Sequence, residues 1–209
     1  MPNAWEVNSG IMDIDFSFTA GEKDTLLRIA KESVRAVVSG KKFVAEVPKE
    51  ARLCQKAGAF VTLHLHGELR GCIGLIEPRL PLCETVAEMA AKSATSDPRF
   101  DSVTTRELDN IEIEISVLSL LEKVEKPENV IVGRHGVMIE KGYFRALLLP
   151  QVATENGWNR EQLLRQVCVK AGLHKEAYRD PDSNLFVFTA EIFSEESRQK
   201  EEKDVAERN

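Results

Sequence analysis

The alternation of apolar and polar positions that organises this chain runs through residues 59–76. Val61, Leu63, Leu65, Leu69, Ile73 and Leu75 fall on one side of two strand-length runs. His66-Gly67-Glu68 separates the runs, so the segment reads as a β-hairpin. Setting Leu65 opposite Leu69 gathers the six aliphatic residues on a core face. The other face then carries Phe60, Thr62, His64, Arg70 and Cys72, with Thr62 across from Cys72 and His64 across from Arg70. Gly71 and Gly74 interrupt the second strand, where each costs roughly 0.5–1 kcal/mol relative to alanine. They mark either a bulge that re-aims Arg70 and Cys72 or a close approach by another element.

Helical periodicity appears three times. Thr19 and Glu22 form a capping box ahead of an apolar stripe of Leu26, Leu27, Ala30, Val34, Val37 and Val38, closed by Gly40. Residues 82–94 make a helix of small residues that stops before Asp97-Pro98-Arg99-Phe100, a turn presenting an acid, a base and an aromatic ring. Asn159 caps a third helix with Leu163, Leu164, Val167 and Cys168 inside, ended by Gly172. Ile111, Ile113, Ile115 and Val117 alternate with Glu112, Glu114 and Ser116 in a strand with one buried face and one wet one. Residues 130–149 read as strands broken by turns, one of which holds His135 between glycines, and residues 185–193 read as one last strand. The expected fold class is α+β, with antiparallel or mixed sheets and helices packed on them. Residues 1–18 are expected as an arm, 19–193 as the folded domain and 194–209 as a charged tail.

Composition narrows the function classes. The chain has 209 residues, is 43% hydrophobic and 30% charged, and carries a net charge of −6, as an ordinary globular protein does. No apolar run approaches the ~18 residues a membrane span needs, and the first residues lack a basic and an apolar signal region, so a cytoplasmic protein is expected. The 28 Lys and Arg residues are dispersed and form no basic platform, which disfavours nucleic acid. Cys54, Cys72, Cys83 and Cys168 show no CxxC pair, so no metal site is expected and the thiols are expected reduced. No cofactor is implied.

Leu69-Arg70-Gly71-Cys72-Ile73-Gly74 closely resembles a signature of the AMMECR family, also called AmmeMemoRadiSam system protein A. Asp97-Pro98-Arg99-Phe100, Glu107-Leu108, His135-Gly136, Leu149-Pro150-Gln151-Val152-Ala153, Gly157-Trp158 and Lys170-Ala171-Gly172-Leu173 match the same family in the same order, over roughly residues 19–193. His64 and His66 lie outside its pattern. The resemblance implies an α+β fold in two unequal lobes. It also implies association with a Memo-like protein and a radical S-adenosylmethionine protein. It supplies no agreed set of catalytic residues.

Three readings of the signature follow. In the first, Cys72 is a thiol nucleophile or redox group, its pKa lowered by Arg70, its sulfur oriented by Thr62, with His135 as general base. Cys72 is then expected to alkylate faster than the other three thiols. In the second, Gly71 and Gly74 smooth a cleft for a small ligand or a partner, gripped by Arg70 and Arg99 with Asp97 and Thr62 nearby. In the third, the signature is purely structural.

Overall fold

The computed structural model describes residues 17–197, and these fall into two compact units, Ser17–Leu118 with the segment from Glu191, and Ser119–Ala190. The arm expected over residues 1–18 and the tail expected from 194 lie for the most part outside the described residues.

In the larger unit, α1 (Ala20–Val38) begins at the capping box the sequence spells out. Thr19 Oγ1 accepts the Glu22 N–H, and the Glu22 carboxylate accepts the Thr19 N–H. Gly40, with φ of 69°, turns the chain out of the helix. A four-stranded sheet follows in the order β2-β1-β3-β8, built from β1 (Gly58–Leu65), β2 (Glu68–Leu75), β3 (Ile111–Leu118) and β8 (Ala190–Ser194). α2 (Leu82–Thr95) lies over β1 and β2, and α1 packs on α2 and β3. Ala59, Val61, Leu63, Ile113, Ile115, Leu26 and Val86 make the dry layer between sheet and helices. β8 is held at the start of the unit, where Glu191 accepts the Phe18 N–H and pairs with Lys23.

The smaller unit carries a second sheet in the order β4-β7-β5-β6, from β4 (Glu122–Val124), β5 (Gly136–Lys141), β6 (Phe144–Leu148) and β7 (Asn184–Phe188). α3 (Pro150–Glu155) and α4 (Arg160–Lys170) accompany it, and Val137, Ile139, Leu163, Leu164, Val167 and Cys168 form its core. The described pairings of β1 with β2 and β3, and of β5 with β6 and β7, are antiparallel. The fold class is α+β. The single last strand expected over residues 185–193 is two strands, β7 and β8, one in each sheet. Thr189 separates them, its N–H donating to Ser119 Oγ.

The hairpin departs from its expected register in one informative way. His66 and Gly67 both adopt positive φ, 54° and 80°, so the connection is a two-residue turn and Glu68 already belongs to β2. Leu65 therefore faces Glu68 and His64 faces Leu69, whereas Leu63 faces Gly71 and Thr62 faces Cys72. Arg70 is the extra residue of a β-bulge. The bulge reverses the alternation before it, and Leu69, expected in the core, is 41% exposed.

Candidate functional site

Gly71 is required because α2 crosses β2 there: a Cβ at this position would land on the Ser93 carbonyl oxygen. At the same crossing the Ser93 hydroxyl wedges between two strands. It accepts the Ile73 N–H at 2.8 Å and donates to the Val61 carbonyl at 2.7 Å, bridging β2 to β1. Gly74 has a different cause, because the Phe60 ring from β1 lies flat over it and a Cβ would meet that ring. Both glycines thus mark close approaches, and the first also sits at the bulge.

The turn after α2 closes on the free edge of β2. Asp97, 5% exposed, accepts the Cys72 N–H at 2.8 Å through Oδ2. The same carboxylate receives the Arg99 N–H at 3.1 Å, Arg99 Nε at 3.0 Å and Arg99 Nη2 at 2.7 Å. Arg99 Nη2 also reaches the Cys72 carbonyl at 3.5 Å. One carboxylate and one guanidinium therefore take the place of a neighbouring strand at Cys72. The Arg99 guanidinium holds the Asp97 carboxyl far below the usual carboxylate range, helped by the Cys72 N–H. Despite this clamp, the Arg99 side chain is 54% exposed, stacks on Phe100 with its carbon 5.4 Å from the ring centroid, and leaves Nη1 without a partner among the described residues.

Arg70 points elsewhere. Its Nε donates to Glu107 Oε1 at 2.8 Å and its Nη1 to the Asp101 carbonyl at 2.8 Å, so the bulge aims it at the 101–107 turn. Glu107 also accepts the Thr104 N–H and hydroxyl, at 2.7 and 2.8 Å. Arg70 leads these contacts in lowering the Glu107 pKa to about 2.

Cys72 is half-buried beside Thr62, whose hydroxyl donates to Sγ at 3.3 Å. Burial pushes its thiol above the ordinary value, with the Thr62 hydroxyl and Arg99 opposing and Asp97 and Glu114 adding to the rise. Arg70 does not enter this balance: the cation that acts on the thiol is Arg99, and the dominant effect is desolvation. His135 lies in the smaller unit, where its Nδ1 accepts the Ile131 N–H at 3.2 Å. Burial and Arg134 lower its pKa, so the ring is neutral at pH 7. The larger unit by itself brings together Thr62, Arg70, Gly71, Cys72, Gly74, Asp97 and Arg99. Sequence reasoning missed Ser93 and Glu107 as their supports. The Glu107-Leu108 match to the family pattern was a signal for Glu107, and nothing in the spacing of the small residues on α2 singles out Ser93.

The AMMECR1 family model matches residues 27–193. The chain belongs to the AMMECR1 family. A protein of Methanothermobacter thermautotrophicus is 42% identical over 184 residues, covering 84% of this chain and 95% of its own length. A Thermococcus kodakarensis protein is 44% identical over 183 residues, covering 82% and 89%. The crystal structure of an uncharacterised protein from Pyrococcus horikoshii matches with a TM-score of 0.77 at 41% identity, covering 83% of this chain and 91% of that one. The Leu69–Gly74 segment that resembles the family signature thus lies in the bulged strand β2, and the Asp97-Pro98-Arg99-Phe100 segment is the clamp on its edge. No helix among the described residues is long and apolar enough to cross a membrane, and no cluster of three metal-ligating side chains occurs among them.

Proposed function

We propose that this AMMECR1 protein is a binding module whose signature builds a rigid mount for Arg99. The observation that carries the reading is the contrast between the two arginines. Arg70 is committed to Glu107 and Asp101, whereas Arg99 is fixed through Nε and Nη2 and presents its remaining edge to solvent. A guanidinium held this way loses little rotamer freedom on binding and offers the N–H groups of Nη1 to a carboxylate or other acceptor. Phe100 beneath it and the half-buried Cys72 beside it supply apolar area, a composition that suits a contact hot spot. The partners this reading favours are the Memo-like and radical S-adenosylmethionine proteins that the family resemblance implies. Thiol catalysis gains no support, because burial raises the Cys72 pKa and no cation reverses it.

The test is co-elution of the full chain with each of those two proteins from the same genome. Wild type is expected to co-elute with at least one, and Arg99→Ala to lose it while keeping its far-ultraviolet spectrum. Retention of binding by Arg99→Ala would contradict the reading.

A further inference from the structure

Cys54 and Cys83 lie away from the signature, and the chain brings them together. Lys56 and Pro81 form an antiparallel bridge, and the Gln55 carbonyl accepts the Leu82 N–H at 2.8 Å. Cys54 and Cys83 each adjoin this hydrogen-bonded Gln55–Leu82 pair, so the junction brings the end of the 3-10 turn beside the first turn of α2. A disulfide needs Cα atoms roughly 4.4–6.8 Å apart, a span within reach of residues that flank a hydrogen-bonded backbone pair. Thr85 reinforces the junction by donating from Oγ1 to the Ala57 carbonyl at 3.2 Å. Cys54 closes the 3-10 turn Ala51–Cys54 and is half-buried, with its thiol directed at the Pro48 carbonyl, whereas Cys83 is buried in the first turn of α2. The two sulfurs are electrostatic neighbours: after burial, Cys54 is the largest influence raising the Cys83 pKa, and the Glu84 backbone N–H counters it at the helix start.

We infer that Cys54 and Cys83 form a dithiol site that reacts with small-molecule disulfides and closes to an intramolecular cystine. The Cys54 thiolate, the less buried of the two, attacks the small disulfide, forming a mixed disulfide and releasing one small thiolate. The Cys83 thiolate then attacks Cys54 Sγ and releases the second. The protein dithiol loses two electrons and two protons, and the small disulfide is reduced to two thiols. In a reducing compartment the bond reopens, so the site reports the thiol–disulfide balance. Closure ties the segment before β1 to α2, the helix that carries Ser93 across β2.

The experiment incubates the native full chain with oxidised glutathione, quenches with acid and maps non-reduced peptides by mass spectrometry. The expected result is a peptide pair linked through Cys54 and Cys83, with Cys72 and Cys168 recovered as free thiols. Cys83→Ala is expected to accumulate glutathione on Cys54, and Cys54→Ser to leave Cys83 unmodified. A wild-type protein that ends with glutathione on Cys54, with a link through Cys72 or Cys168, or with all four thiols free would overturn the inference.

Discussion

The carboxylate of Asp97 accepts the backbone N–H of Cys72 at 2.8 Å, from a turn 25 residues further along the chain. An edge strand ordinarily exposes such a group to solvent or to another chain. Here the N–H is taken by a buried acid, and the same acid fixes the arginine that reaches the Cys72 carbonyl. The edge of β2 and the orientation of Arg99 are therefore one arrangement.

Removing Asp97 breaks both at once. Asp97→Ala leaves the Cys72 N–H and the inner edge of Arg99 without their acceptor, and is expected to destabilise the larger unit by about 3 kcal/mol. Urea unfolding followed by far-ultraviolet circular dichroism measures this. Arg99→Ala is expected to leave Asp97 a buried unpaired acid, and to destabilise less if the carboxyl takes up a proton.

The strand crossing makes a second prediction. Gly71→Ala drives a methyl group into the Ser93 backbone, which cannot move without lifting α2, so a loss of roughly 2 kcal/mol or more is expected. Gly74→Ala meets the Phe60 ring first, a side chain able to rotate, and is expected to cost less. Equal melting temperatures for the two variants would contradict this ordering.

Ser93→Ala removes a hydroxyl that satisfies a donor on β2 and an acceptor on β1. Leaving Ile73 N–H and Val61 C=O unbridged is expected to cost about 1–3 kcal/mol. Native-state hydrogen exchange at the Ile73 amide is expected to accelerate in the same variant.

Glu107 sets a pH dependence. Its carboxyl is depressed from the ordinary 4.5 to about 2 in the folded protein, mainly by Arg70. Stability from this pair is present above the unfolded value and is lost as pH falls through about 2. Asp97 is depressed from its ordinary 3.8 and acts in the same direction. Glu107→Gln is expected to be less stable than wild type at pH 6 and to flatten the fall of stability with acid below pH 4.5. A wild-type slope unchanged by the substitution would remove Glu107 from the account.

Much of the scaffold was legible in the sequence. Thr19 with Glu22 and Asn159 with Gln162 form capping boxes that place α1 and α4, because those bonds are local. Thr62 does face Cys72, because alternation fixes register wherever one face is buried. The position of the bulge was not legible: a three-residue loop and a two-residue turn plus a bulge share the same residues, and they differ in where Arg70 points. Its partner Glu107 is 37 residues away, and no spacing rule links the two. The small unit's β4 was hidden for another reason, since Glu122-Lys123-Val124 is short and charged and is held by pairing with β7. At the candidate site, Asp97 and Arg99 were visible as a charged turn, but a bond to a distant backbone N–H carries no side-chain pattern.

The thiol makes a sharp counter-test. Half-buried and with its pKa raised, Cys72 is expected to react with iodoacetamide at pH 7 more slowly than a free cysteine, and no faster than Cys54. Faster labelling of Cys72 would restore the nucleophile reading.

The most direct measurement is the affinity of the full chain for its co-eluting partner, by titration calorimetry, for wild type, Arg99→Gln and Cys72→Ser. A charge-assisted contact from Arg99 Nη1 predicts a loss of tenfold or more in Arg99→Gln, about 1.4 kcal/mol or above, with Cys72→Ser close to wild type. Unchanged affinity in Arg99→Gln, or a loss confined to Cys72→Ser, would contradict the account.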